Sequence, residues 1–185
     1  MFVRTDRLLL RPGWLEDAPA LARAVNTDPA IARNTARIPW PYALADAEAY
    51  LGMEKDPHSP VCLVFARTSG APRLVGSLGI HPDVDGMEIG YWIARPYWGL
   101  GFATEAASAL LHAGRQSLKL ARVRSGHFID NPASGRVLRK LGFRPTGQIV
   151  ARHSVARGGE VDCLLYADTA EVPCDDPAMH CLEAA

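Results

Sequence analysis

No stretch of the 185 residues approaches the roughly 18 consecutive apolar residues of a membrane span, and residues 1–12 carry Arg4, Asp6, Arg7 and Arg11 where a secretory signal would be apolar. A cytoplasmic chain with no membrane partner is expected. No block of five like charges occurs, and Lys+Arg and Asp+Glu number 20 each, so the formal net charge is zero and nucleic acid is not an expected partner either. The four cysteines, Cys62, Cys163, Cys174 and Cys181, include no CxxC pair and read as free thiols. Cys174, His180 and Cys181 lack a fourth ligand at a recognisable spacing, so no metal site is expected. Internal repeats are absent. What is present is an ordinary globular composition, 48% hydrophobic and 22% charged, at a length that suits one domain over residues 1–170 followed by a tail, 171–185.

Hydrophobic periodicity and breakers divide the chain into elements. Strands are expected at 5–11, 61–67, 73–81, 87–94, 121–129, 146–153 and 160–166. Helical spacing marks 14–25, 44–54, a long helix through Ala103, Ala106, Leu110, Leu111 and Leu118, and a helix from Asn131 to Leu141. In that last helix Asn131 is the expected N-cap, Pro132 the first helical residue and Gly142 the stop, with Phe143 folding back onto Val137 or Leu138. Residues 26–42, rich in proline and aromatics, read as a loop with at most a short helical turn. The fold class is α+β, a mixed, mostly antiparallel twisted sheet of about seven strands with about four helices.

The chemically informative run is Glu88 to Glu105, EIGYWIARPYWGLGFATE. A strand, a glycine loop and a helix follow one another, and such a junction offers free N–H groups and a positive dipole end to a phosphate. A P-loop is excluded, because neither the lysine nor the Ser/Thr follows the glycines. The dinucleotide fingerprint is disfavoured: Thr104 stands at its third glycine, and Arg122 and Arg124 stand where an acidic ribose ligand belongs.

From Thr5 to about Tyr166 the chain resembles the GNAT N-acetyltransferases, in particular the RimJ/RimL-like branch that acetylates protein N-termini. The likeness rests on TDRLLLRP, on EIGYWI followed by YWGLGFATEA, and on DNPASGRVLRKLGFRPTG, in that order. It implies acetyl-CoA as co-substrate, its pyrophosphate on backbone N–H groups of Gly99, Leu100, Gly101, Phe102, Ala103 and Thr104. Trp98 stands where the family usually has Gln or Arg. The resemblance also implies that the strand Glu88 to Ile93 bulges and splays from the strand Arg122 to Ile129, so that pantetheine pairs with backbone groups of Trp92, Ile93 and Ala94. Asn131 would touch the same arm, and Arg136, Arg139 and Lys140 are candidates to attract the 3′-phosphate.

Acyl transfer to an amine needs a neutral nucleophile, a polarised carbonyl and a proton for the thiolate. Glu88 is the expected base, with His81 and His127 as alternatives; a surface carboxylate is the bland reading of Glu88. Ser134 is the expected acid, with a plain helix serine as the alternative. The helix holding Ser134 has no tyrosine. No cysteine lies beside the Gly99 loop in sequence, so direct transfer in a ternary complex is expected, not a covalent acetyl-cysteine. A non-catalytic acyl-CoA-binding module is the runner-up. The acceptor, a small-molecule or peptide amine, is left open, with Trp14, Trp40, Tyr42, Asp83 and Asp85 as candidate pocket residues. Relatives of this kind often dimerise, and a homodimer stays open for this chain.

Overall fold

A computed structural model of the protein describes residues 1–168, apart from Lys55, Asp85 and Ala121. The expected tail at 171–185, with Cys174, His180 and Cys181, and the candidate Asp85 therefore lie outside the described residues. Eight strands form one sheet: β1 (Val3–Arg4), β2 (Leu8–Arg11), β3 (Val61–Ala66), β4 (Arg73–Asp83), β5 (Gly86–Ile93), β6 (Val123–Phe128), β7 (Arg144–Ser154) and β8 (Gly159–Ala167). Their order is β1-β2-β3-β4-β5-β6-β8-β7, antiparallel throughout except where β5 runs parallel to β6. Among the described residues there are five α-helices: α1 (Ala18–Val25), α2 (Pro29–Arg33), α3 (Leu44–Gly52), α4 (Phe102–Leu118) and α5 (Pro132–Lys140).

Alternation along the strands assigns helices to both faces of the sheet. In β3, Cys62 and Val64 join the cluster beneath α4 and α5, whereas Leu63 and Phe65 join the one beneath α1 and α3. The long helix buries Ala106, Ala107, Leu110, Leu111 and Gly114, a stripe at the spacing expected of it. No described helix is long and apolar enough to cross a membrane.

Several boundaries differ from the sequence reading for identifiable reasons. The single strand expected at 5–11 is a hairpin. Thr5 N–H donates to the Leu8 carbonyl (3.0 Å) and Leu8 N–H to the Thr5 hydroxyl (2.9 Å), which turns the chain and yields the eighth strand. Helix one begins at Ala18 and not at Trp14. Before it, Leu15–Asp17 form a 3-10 turn, and the Asp17 carboxylate accepts the Trp14 N–H (2.9 Å) and a bidentate pair from Arg11 (2.7 and 2.8 Å). The loop at 26–42 contains α2, capped by Asp28, whose side chain accepts the Ala30 N–H (2.8 Å).

The end of α5 is as expected. Gly142 N–H donates to the Arg139 carbonyl and Phe143 N–H to the Leu138 carbonyl, both at 3.0 Å, and the Phe143 side chain is buried. Its start is not. Asn131 occupies the N-cap position, but its side chain makes no capping bond and faces the cavity described below.

Candidate active site

The parallel pairing of β5 with β6 covers only Met87↔Val123 and Glu88↔Arg124, and beyond it the strands part. The splay is present; a bulge in β5 is not, since β4 and β5 stay in register from Gly76↔Ile93 to Asp83↔Gly86. The irregular registers lie at Val64/Phe65 and Pro145/Ile149. A cavity of about 870 Å³ spans the gap and is lined by residues from both faces of the sheet.

At one end the cavity is walled by the loop after β5. Gly99 and Gly101 adopt left-handed φ values of 77° and 81°, where a side chain would be strained, and Gly101 is the N-cap of α4. The N–H groups of Phe102, Ala103 and Thr104 have no intrahelical acceptor, as in any first turn, so they point out at the positive end of a 17-residue helix. This donor set suits a pyrophosphate.

The N-terminal hairpin clamps the loop. Arg7 Nε donates to Glu105 Oε2 (2.7 Å), Arg7 Nη1 to the Leu100 carbonyl (3.0 Å), and the Thr5 hydroxyl to Glu105 Oε1 (2.6 Å), while the Arg7 guanidinium lies 4.8 Å over the Phe102 ring. Burial raises the Glu105 carboxyl, yet the bonds from Thr5 and Arg7 together hold it below its ordinary range. Trp98 turns its indole N–H back onto the Ile93 carbonyl (2.5 Å) and carries Arg95 on its ring (4.6 Å). It therefore props the loop.

The backbone of β5 divides by alternation. Ala94 N–H donates to the Val75 carbonyl (2.8 Å), so the groups of Trp92 and Ala94 face β4. Those of Tyr91 and Ile93 face the gap. Of the three residues expected to offer backbone groups to pantetheine, only Ile93 points there, with its carbonyl already on Trp98.

On the α1 and α3 face, His81 and Glu88 are directly paired across β4 and β5 and both line the cavity. Glu88 is buried and held by both arms of Arg152, Nη1 to Oε1 at 2.5 Å and Nη2 to Oε2 at 2.8 Å, with Asp83 3.9 Å from the same guanidinium. A carboxylate in such a fork accepts two parallel charge-assisted bonds and holds its orientation. His81 is half-buried, and burial pushes its imidazole below the ordinary 6.5, with Arg37 and Arg152 acting in the same sense and Glu88 and Asp83 against it. Its ring is therefore neutral at pH 7. His127 is otherwise engaged: Nδ1 meets the Phe128 carbonyl (2.8 Å) and the ring packs 5.4 Å from that of Tyr166.

On the α4 and α5 face, Ser134 in the first turn of α5 lines the cavity beside Asn131, Arg136 and Lys140. Its hydroxyl lies 2.9 Å from the Tyr91 hydroxyl, which also reaches the Ser134 carbonyl (3.2 Å). Burial pushes the Tyr91 phenol up to about 12. Arg139 faces elsewhere, over the Tyr166 ring (5.8 Å). Base and acid candidates thus stand on opposite faces of the sheet and meet only at the gap.

A model of the acetyltransferase (GNAT) domain matches residues 7–144. The chain belongs to the GNAT acetyltransferases. Over 172 residues, 89% of this chain and 94% of the relative, it is 29% identical to the uncharacterized N-acetyltransferase YoaA of Bacillus subtilis (strain 168). A 64-residue stretch, 35% of this chain and 36% of the relative, is 39% identical to the ribosomal-protein-serine acetyltransferase of Escherichia coli (strain K12), which agrees with the RimJ/RimL-like branch. The crystal structure of a GNAT-family acetyltransferase from Bacillus anthracis matches with a TM-score of 0.74 at 26% identity, covering 90% of this chain and 97% of that one. The protein is an acetyl-CoA-dependent acetyltransferase.

Four features of this acetyltransferase escaped the sequence reading. Arg152 sits on the exposed edge strand β7, 64 residues from Glu88. Tyr91 brings to Ser134 the tyrosine that α5 lacks. The role of Thr5 and Arg7 as anchors of the glycine loop shows only once the hairpin is folded. Cys163, on β8, also lines the cavity, although burial pushes its thiol up and makes it a poor source of thiolate. Of the candidate acceptor residues, Tyr42 and Asp83 line the cavity, whereas Trp14 lies 4.0 Å under the Arg11 guanidinium and Trp40 is exposed.

Proposed function

We propose that this acetyltransferase moves the acetyl group from acetyl-CoA directly to the α-amine of a peptide or protein N-terminus. The observation that carries this is the His81 imidazole on one face of the β5/β6 gap and the Ser134 hydroxyl on the other. An amine entering along the α1 and α3 face meets a base, and the sulfur leaving toward α5 meets a hydrogen-bond donor.

The first-turn N–H groups of α4 hold the pyrophosphate, with Gly99, Leu100 and Gly101 shaping the turn. Ile93, Asn131 and the backbone of Tyr91 line the arm, and Arg136 and Lys140 supply positive charge at its outer end. The bound co-substrate supplies the activated acetyl group. His81 takes the proton of the attacking amine. Glu88, held in both arms of Arg152, fixes the wall opposite His81, which moves the expected proton-accepting role from Glu88 to the histidine paired with it. Ser134 donates a hydrogen bond to the departing sulfur, and the thiolate takes its proton from water.

The choice of an α-amine rests on pKa matching. An α-amine near 7.7–8.0 is partly neutral at pH 7, whereas a lysine near 10.4 is almost wholly charged, a gap that a base below 6.5 does not bridge efficiently. The name of the E. coli relative, a ribosomal-protein-serine acetyltransferase, points to a protein acceptor. Thiol release from acetyl-CoA with a lysine-free peptide bearing a free N-terminal serine tests the proposal. Rapid release with that peptide, and none with an N-acetylated peptide containing lysine, is the expected result. The reverse preference would assign the enzyme to side-chain amines.

A further inference from the structure

A serine hydroxyl has one hydrogen, and whether it can serve the leaving sulfur depends on what else wants it. Ser134 and Tyr91 are hydroxyl partners at 2.9 Å, and the pair admits two arrangements. When the Tyr91 hydrogen lies on the Ser134 carbonyl, 3.2 Å away, the Ser134 hydrogen is drawn onto the Tyr91 oxygen and away from the cleft. When the Tyr91 hydrogen swings to Ser134 Oγ, the Ser134 hydrogen is freed to point into the cavity. Burial holds the Tyr91 phenol at about 12, so its hydrogen is present at every working pH. Helix α5 itself offers Oγ no such donor, since a serine hydroxyl in a helix otherwise donates back to a carbonyl one turn earlier.

We propose that Tyr91 is a positioning residue for Ser134: by donating to Oγ it turns the serine hydrogen toward the sulfur of coenzyme A. The inference rests on the reading of Ser134 as the donor to that sulfur. No atom is transferred from Tyr91. As the carbon–sulfur bond breaks, its electron pair stays on sulfur, the Ser134 O–H···S hydrogen bond strengthens, and the Tyr91 O–H moves from one Ser134 oxygen to the other. The resulting thiolate takes its proton from water.

The test needs no acceptor. Coenzyme A bound to the purified enzyme is titrated with base, and its thiolate is followed by ultraviolet absorbance. A donated hydrogen bond stabilises the thiolate, so the bound thiol should titrate about one pH unit lower in the wild type than in Ser134→Ala, a tenfold change in its ionisation constant. Tyr91→Phe should recover most of that rise, while Tyr91→Phe in the Ser134→Ala background should add nothing. Calorimetric affinity for coenzyme A at neutral pH, measured for each variant, sets the concentration at which the titrated enzyme is saturated. Two results overturn the proposal and leave the Ser134 reading standing: a Tyr91→Phe enzyme with a wild-type thiol, or an equal further rise in the double variant. If Ser134→Ala leaves the thiol unmoved, the Ser134 reading falls and this inference with it.

Discussion

The proposed cofactor end of the cleft is made of main chain from one run, Gly99 to Thr104, whereas the proposed acceptor end is made of side chains brought together from β4, β5, β7 and the segment around α2. The first is preorganised by φ values and by the start of a helix, and its donors are present whatever the neighbouring side chains are. The second exists only when distant strands are in register. Arg152 reaches Glu88 because β7 pairs with β8 and β8 with β6, and Ser154 and Val155 are tied to the α2 side through the Thr35 and Ala36 carbonyls (3.3 and 2.9 Å). A main-chain site should therefore fail through backbone strain, and a side-chain site through loss of single groups.

The largest separation of the two ends is expected from His81→Ala. Removing the base should lower kcat by about 10²-fold or more, with calorimetric affinity for acetyl-CoA unchanged. The acidic limb of the wild-type rate profile should lie below pH 6.5, because burial depresses the His81 pKa and only the neutral ring accepts a proton. In the variant that limb should vanish.

Gly101→Val should do the opposite. A β-branched residue holds φ +81° only at a cost of about 1–2 kcal/mol, so the turn relaxes in the free enzyme and that cost falls on binding: affinity for acetyl-CoA should drop roughly 5- to 30-fold while the melting temperature changes little. A smaller effect of the same kind is expected from Glu105→Ala. It releases Thr5 and Arg7 from the loop, and affinity for acetyl-CoA should weaken by about tenfold at most, equivalent to one hydrogen bond.

The smallest effect belongs to the outer wall of the acceptor end. Asp130 accepts a bidentate pair from Arg157 (2.8 and 2.9 Å) and a bond from Arg33 (3.0 Å), and these bonds, Arg157 first, pull its carboxyl from 3.8 to about 2 against its partial burial. A depressed carboxyl contributes stability that is present above its unfolded pKa and lost as pH falls toward the folded one. Asp130→Asn should thus cost about 0.5–1 kcal/mol at pH 7, as partly exposed pairs do. By denaturant unfolding, its deficit should shrink between about pH 4 and pH 2.

The same contrast explains what was legible in the sequence. The glycine loop, the long helix after it and the α5 segment with its Gly142 stop are local features, and turn chemistry and periodicity report them directly. The hairpin at Thr5 was hidden because its turn is made by a side chain, and the start of α1 because Arg11 captures Asp17. Glu88 and Ser134 were legible as cavity residues, but their partners Arg152 and Tyr91 were not. Nothing local marks an arginine on an exposed edge strand or a tyrosine on a strand as the neighbour of a residue in another element.

The contrast between the two ends assigns binding to the main-chain end and proton transfer to the side-chain end. Acetyl-CoA titrated calorimetrically into His81→Ala and Gly101→Val, in parallel with thiol release using the N-terminal serine peptide, tests it most directly. Wild-type binding without turnover is expected for His81→Ala, and weakened binding for Gly101→Val with turnover recovered at saturating acetyl-CoA. Loss of binding in His81→Ala, or wild-type binding in Gly101→Val, would contradict it.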